Sequence, residues 1–329
     1  MAYIRMTSVE HAVSLLKNGK LIAIPTETVY GLGADAKNPM AIQKIYAAKG
    51  RPATNPLIIH IPNIDAINAF AIDVPIEAFK LAKIFWPGPL TLILKRHPAV
   101  PLIVTGGQET VALRVPNHPL TLELLRKFKG GIAAPSANRY GRISPTTTEH
   151  VQKELGGSVD YILDGGPCTI GIESTIIALI NTEPVILRQG YISASTLASV
   201  LGKAVQLGQT QARHIEVPGM SVSHYAPEKP LYLLTKEQLL EKAFDLSKHA
   251  KSFSVLAFIE KPKIDNLLAA LWIFASKDPI KYAKDFYLAL HRLDECEGEC
   301  ILVETPPDGE EWAAIQERLA RAAFPRLTS

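Results

Sequence analysis

Cysteine is scarce in this chain. Cys168, Cys296 and Cys300 are the only three in 329 residues, odd in number and without a C-x2-C pair. A disulfide framework needs a dense, even set and a structural zinc site needs paired ligands, so free thiols are expected. Long apolar runs are missing as well. No stretch reaches the ~18 uncharged residues of a bilayer span, and Met1-Ala2-Tyr3-Ile4-Arg5 opens no hydrophobic leader. The expectation is a cytoplasmic protein with no membrane role. Charge of one sign is not in excess either: 35 basic against 32 acidic residues leave +3, too little to demand a nucleic-acid partner. Aromatic residues make up 7% and do not interleave with the cations as base-stacking platforms would. No G-x-x-x-x-G-K-[ST] occurs, so any nucleotide is held without a P-loop.

What remains is an ordinary globular composition, 47% hydrophobic and 20% charged, in a chain longer than one core usually serves. Strand and helix patterns alternate from the start. A helix over Ser8 to Asn18 is followed by a strand over Lys20 to Ile24 and a helix from Asn38-Pro39 to Ala48. Apolar runs suited to buried strands recur at Leu57–Ile61, Leu90–Leu94, Val111–Val115, Gly131–Ala134, Tyr161–Leu163, Thr175–Ile180 and Val185–Leu187. Some adjacent pairs are joined by links too short for a crossover helix, which predicts a mixed sheet. From Gly202 to Pro230 the pattern lapses. Beyond it the alternation of strands and helices resumes, from Leu231–Leu234 to a final helix over Glu310 to Phe324. The expected organisation is an α/β catalytic domain over 1–203, a linker over 204–230 and a smaller doubly wound, Rossmann-like α/β domain over 231–329.

Polar groups gather where strands end. Pro25-Thr26-Glu27-Thr28-Val29-Tyr30-Gly31-Leu32-Gly33 sets hydroxyls and a carboxylate directly after an apolar strand, as either a turn or the rim of a cleft. Its Gly31-Leu32-Gly33-Ala34-Asp35-Ala36 fits the loose G-x-G-x-x-A pattern, but five polar or bulky residues stand before the first glycine. The later region that should hold a ribose with an acid instead supplies Lys49 and Arg51. Those two cations, with Asn55-Pro56 anchoring their loop to the next strand, suit an anion such as phosphate. His60 lies inside an apolar strand, where a buried, hydrogen-bonded histidine is the ordinary reading. Arg114 and Arg188 each close an apolar strand, and a buried cation there needs an anionic partner. Ala134-Pro135-Ser136-Ala137-Asn138, Ser144-Pro145 and Ser174-Thr175 repeat the small-polar pattern as caps or as convergent donors. Trp86-Pro87-Gly88-Pro89-Leu90-Thr91 reads as a structural turn over a packed Trp86.

These motifs together resemble the YrdC-like family over about Ser8 to Leu201. His224-Tyr225-Ala226-Pro227, after Pro218-Gly219-Met220 and before a further α/β domain, is similar to the long, two-domain threonylcarbamoyl-AMP synthases. Thr54, where that family often has Ser, and the less basic Ser221-Val222-Ser223 depart from it slightly. The resemblance implies a twisted mixed sheet with helices and a nucleotidyltransferase. Its substrates would be L-threonine, bicarbonate and ATP, its products L-threonylcarbamoyladenylate and pyrophosphate. This is the first step of threonylcarbamoyladenosine formation on ANN-decoding tRNAs. By that resemblance Thr28, His60, Arg114, the Ala134 backbone and Ser174 contact threonine. Arg51, Asn55, Thr110, Ser136, Ser144, Arg188 and Tyr225 hold ATP, with Tyr225 closing over it. Lys49 and Arg51 serve the reaction electrostatically. Mg2+ arrives with ATP, since no carboxylate cage is visible and no metal is bound by the chain itself. A tRNA threonylcarbamoyl-transfer complex would take the product, and direct tRNA contact is not required for this step.

Two other readings use the same basic cleft: an RNA-binding protein, and a carbamoyl-transfer module of the kind found in hydrogenase maturation proteins. Salt-steep RNA binding indifferent to ATP would mark the first. The second carries zinc-finger segments that the missing C-x2-C pairs do not supply.

Overall fold

The computed structural model describes residues 8–181, 183–208, 217–218 and 225–323, so 209–216 and 219–224 of the expected linker, His224 among them, and Phe324 of the expected final helix lie outside it. The chain divides into two compact units. One comprises residues 1–140 and 145–220, the other 141–144 and 221–329.

The first unit opens with α1 (Val9–Lys17), β1 (Ile22–Ile24), β2 (Gly31–Asp35), α2 (Pro39–Lys49) and β3 (Ile58–His60). Next come β4 (Ala71–Ile72), α3 (Ile76–Phe85), β5 (Leu90–Arg96), β6 (Thr110–Arg114), α4 (Pro119–Phe128) and β7 (Ile132–Ala133). It closes with α5 (Thr148–Leu155), β8 (Tyr161–Ile162), β9 (Thr175–Ala178), β10 (Val185–Arg188), α6 (Ala194–Leu201) and β11 (Gln206–Leu207). The strands form one mixed sheet in the order β11-β10-β9-β5-β6-β3-β7-β2-β1-β8, with β4 against β5. Parallel pairs β3–β6 and β5–β9 alternate with antiparallel β5–β6 and β9–β10 at its centre. β11 runs parallel to β10 and so extends this sheet past residue 203.

Alternation along the strands divides the core by face. Ile59, Leu92, Leu113 and Ile177 point to the side packed by α2, α3 and α6, whose Ile42, Ile45, Leu81 and Leu197 are fully buried with them. Each such side chain contributes about 1.5–3 kcal/mol of transfer free energy. On the opposite face α1 and α4 cover one end, where Leu16, Leu124 and Leu125 meet Ile22, Ile24 and Ile132. The other end of that face carries Ile58, Ile93, Ala112, Ile176, Ala178, Val185 and Leu187, joined among the described residues by Val217 and by no helix residue. This half of the sheet is the floor of the candidate site.

One expected loop is a strand. Pro25 to Gly33 reads as a strand end running into a turn, yet Gly31 already pairs with Ile24 and β2 returns antiparallel along β1. Close packing explains the glycines there: a Cβ at Gly33 would lie 3.0 Å from Ile132 Cγ2, and one at Gly31 would lie 3.1 Å from Ala134 Cβ. Helix starts follow their caps. Asn38 Oδ1 accepts from Met40 N and Ala41 N at the start of α2, with Pro39 at the first helical position and Gly50 in the left-handed region at its end.

The second unit comprises β12 (Leu231–Leu234), α7 (Lys236–Lys248), β13 (Phe253–Ala257), β14 (Ala269–Phe274), α8 (Pro279–Glu295), β15 (Ile301–Glu304) and α9 (Ala313–Ala322). Its strands are all parallel in the order β12-β15-β13-β14. Leu239 and Ala243 of α7 pack on Val255 and Ala257, while Tyr282 and Phe286 of α8 meet Leu256 on the other face. Helices therefore cover both sides, as a parallel sheet requires. No helix among the described residues is long and apolar enough to cross a membrane.

Candidate active site

The segment between β1 and β2 is held as a compact reversal by Thr26. Its hydroxyl accepts from Thr28 N at 3.1 Å and Val29 N at 3.2 Å, donates to Val29 O at 2.6 Å and lies 2.9 Å from Thr28 Oγ1. The backbone is tied on both sides, Tyr30 N donating to Pro145 O and Ile170 N to Glu27 O. Thr28 and Glu27 are thereby fixed and buried.

Glu27 faces Arg114 at the end of β6. The Arg114 Nη2 and Glu27 Oε2 atoms are 2.8 Å apart, both side chains are 4% exposed, and Arg114 Nε donates to Gly88 O at 3.2 Å. The contact is an ion pair without the alignment of a directed hydrogen bond, and neither Glu27 oxygen accepts one from a described residue. His60 is the partner of Arg114 across the parallel β3–β6 ladder. Burial, then the Arg114 charge, hold its pKa down to about 3, against the raising effect of the hydrogen bond it donates to the Ile132 backbone. The imidazole is therefore neutral, and its Nδ1 has no described partner.

At the neighbouring strand ends, Ser174 and Arg188 form a second knot. Arg188 donates to Ser174 O from Nε and Nη2 at 3.1 and 2.9 Å, to Ser174 Oγ at 3.0 Å and to Pro218 O at 3.0 Å. Ser174 Oγ is 2.7 Å from Thr91 Oγ1. Thr91, which the sequence assigns to a structural turn, thus belongs to the same polar row.

The cations of the 49–55 loop are engaged with backbone. Lys49 Nζ donates to Ser136 O at 2.7 Å and to Asn138 O, and burial with the nearby Arg51 charge depresses its pKa well below the usual lysine value. Arg51 donates to Asn55 O and Pro56 O and stacks over Tyr140, its guanidinium 5.7 Å from the ring centre. Asn55 Nδ2 donates to Tyr140 Oη at 2.8 Å. Ser136 pairs with Gly31 in an isolated bridge, and Ala134 N donates to Ile58 O. Lys49, Arg51, Asn55, Ser136 and Ala134 are thus brought together around the β3 and β7 ends.

Thr110 stands apart. It sits at the start of β6, four residues or ~13 Å from Arg114 at strand rise, in a cleft with Lys95, Arg96 and Glu109. Ser144 and Tyr225 belong to the second unit. There Tyr225, at φ 63°, lies under the Arg318 guanidinium at 5.5 Å and beside Tyr287 at 6.0 Å. No group of three His, Cys, Asp or Glu gathers at metal-holding distance among the described residues. Glu27 and Thr91 stand beside the expected site residues without having been assigned to the site from the sequence. Glu27 sat in plain view inside the first motif, whereas its pairing with Arg114 depends on strand order.

Buried Arg, His and hydroxyl groups gathered at the strand ends of an α/β sheet define a small-molecule site rather than a nucleic-acid surface. Residues 14–190 match the family described as Telomere recombination, whose model joins Sua5, YciO and YrdC, and residues 192–324 match Threonylcarbamoyl-AMP synthase, C-terminal domain. The threonylcarbamoyl-AMP synthase of Bacillus subtilis is 40% identical over 97% of this chain and 94% of its own length. That of Pyrococcus abyssi is 37% identical over 96% and 94%. The crystal structure of P. abyssi Sua5 complexed with L-threonine superposes with a TM-score of 0.88 at 35% identity, covering 97% of this chain and 94% of that one. The chain belongs to the threonylcarbamoyl-AMP synthase family, in the form that carries the second, C-terminal family domain.

Proposed function

We propose that this protein joins L-threonine, bicarbonate and ATP into L-threonylcarbamoyladenylate with release of pyrophosphate, as the first step of tRNA threonylcarbamoyladenosine formation. The observation that carries the reading is that Arg114, neutral His60 and Ser174 stand at neighbouring strand ends, with the segment that carries Thr28 tied to Arg114 through Glu27, in a chain that shares the family over nearly its whole length. Threonine offers a carboxylate for Arg114, a hydroxyl for a neutral imidazole or for the Thr28 and Ser174 hydroxyls, and polar atoms within reach of the Ala134 backbone. ATP lies toward Arg51, Asn55, Ser136 and Arg188, with Thr110, Ser144 and the Tyr225 ring as further contacts. Lys49 stands between the two groups and stabilises charge as the carbamate oxygen attacks the α-phosphate. Two anions meet in that step, so fixed cations in a water-poor site lower its barrier.

Mg2+ enters as the counter-ion of the nucleotide, held by the phosphates. The catalytic domain is assigned to 1–203 and extended by β11, with the remaining linker running to 230 and the C-terminal domain over 231–329. The protein works in the cytoplasm and hands its product to a tRNA threonylcarbamoyl-transfer complex. Mass detection of the adenylate with each substrate omitted in turn tests the reading. Product should require all three, and pyrophosphate release that persists without threonine speaks against it.

A further inference from the structure

Glu27 is buried at 4% exposure, yet a carboxylate so placed normally collects several hydrogen bonds and neither of its oxygens accepts a directed one from a described residue. A purely structural partner for an arginine would be expected to dock as a two-pronged fork. Here one oxygen approaches Nη2 at 2.8 Å, outside that geometry, and most of the acceptor capacity is unspent. An α-amino acid is a zwitterion whose ammonium and carboxylate sit two bonds apart. An adjacent carboxylate and guanidinium present the complementary charges side by side.

We propose that Glu27 is a catalytic residue, receiving the threonine ammonium beside Arg114 and taking its proton as the carbamate forms; this rests on the reading of the site given above. One ammonium proton passes to a Glu27 oxygen. The freed nitrogen lone pair then forms the N–C bond to the bicarbonate carbon, and the bicarbonate hydroxyl leaves with a second nitrogen proton as water. Glu27 ends protonated and the product is the carbamate anion, so charge and atoms balance.

The neighbouring groups are less suited to that role. His60 is held neutral with a pKa of about 3, so it is a feeble base. Lys49 spends its N–H groups on the Ser136 and Asn138 carbonyls. Cys168, which feels the Glu27 charge, has its thiol pushed up to about 12 by burial. His118, before α4, also senses Glu27 but contacts Gly165 O.

The test compares wild type, Glu27→Gln and Glu27→Asp. Calorimetry reads the affinity of threonine and of 3-hydroxybutyrate, which keeps the carboxylate and hydroxyl but lacks the amine, and kcat for the adenylate is followed against pH. Glu27→Gln should weaken threonine about tenfold or more while leaving 3-hydroxybutyrate unchanged or tighter, and should cut kcat on the order of 100-fold. Equal loss for both ligands, or a wild-type kcat profile, overturns the proposal. If Glu27→Gln does not fold by circular dichroism, Glu27→Asp, its carboxylate withdrawn by one methylene, is read the same way, and a wild-type ratio of the two affinities overturns it. A wild-type protein that binds neither ligand removes the threonine reading and this proposal with it. Wild-type binding and turnover with an indifferent Glu27→Gln removes only Glu27.

Discussion

His60 and Arg114, paired across β3 and β6, show how burial sets protonation at this site. A histidine whose folded pKa is about 3 resists protonation in the fold while the unfolded chain takes a proton near 6.5. Between those values the unfolded state binds more protons, so the stability contributed by the neutral ring is complete above pH 6.5 and is lost as pH falls toward 3. From pH 6.5 to 4 the loss is about 3 kcal/mol. Lys49, also depressed by burial, adds a dependence of the same sign on the acid side of its ordinary value of 10.5, and comparison with a variant isolates His60. Urea titrations of wild type and His60→Gln across this range should show the acid slope flattened by roughly that amount in the variant. An unchanged slope would mean that His60 does not titrate as described. The Glu27–Arg114 pair belongs to the same scale: truncating either partner leaves the other charge buried, at a cost of about 3–5 kcal/mol.

At the scale of elements, the site depends on backbones that approach closely. A Cβ on Gly190, just after β10, would lie 2.3 Å from Thr175 N, 2.5 Å from Ser174 C and 2.7 Å from Glu173 O, all backbone atoms that cannot turn aside. Gly190→Ala should therefore push the Ser174 corner away from Thr91 and Arg188. We expect a loss of about 1–3 kcal/mol in stability and a fall on the order of 100-fold in kcat/KM for threonine, as a displacement near 1 Å implies. Steady-state kinetics with threonine varied, alongside thermal melts, checks both, and a variant with wild-type threonine kinetics shows that the corner is not part of the site. The same close approaches explain what the sequence could and could not reveal. Helices announced themselves through Asn38-Pro39 and similar caps, and the longer strands through their apolar runs. β2 hid because Gly31 and Gly33 resemble a turn when read locally, whereas their lack of a side chain serves strand packing. β4 and β11, two residues each, lie outside the apolar runs that marked the equally short β7 and β8. Glu27 and Arg114 were each visible as charged groups, but their meeting is a product of sheet order, which residue spacing does not encode.

At the scale of the whole molecule, the second unit comprises a short piece of chain from within the span of the first, residues 141–144, together with 221–329, which takes in the end of the expected linker. Helix α8 fastens both. The Asp294 carboxylate accepts from Glu228 N at 2.9 Å, Lys229 N at 3.0 Å and Arg142 Nη2 at 3.2 Å, while His291 Nε2 lies 3.2 Å from Ser144 O. Ala226 N closes the arrangement on Gly141 O. The two strands of chain that α8 holds carry Ser144 and Tyr225, the residues assigned above to ATP and not to threonine. Hydrogen bonds to a charged acceptor are worth about 1.5–3 kcal/mol each, so Asp294→Ala should loosen this fastening without disturbing β3, β6 or β9. The expected result is a KM for ATP raised about tenfold, equivalent to ~1.4 kcal/mol of binding, with threonine affinity by calorimetry unchanged. A parallel rise for threonine would show that the effect is not specific to the nucleotide. An unchanged KM for ATP would detach Ser144 and Tyr225 from the nucleotide, leaving its recognition to the cations and amides of the first unit.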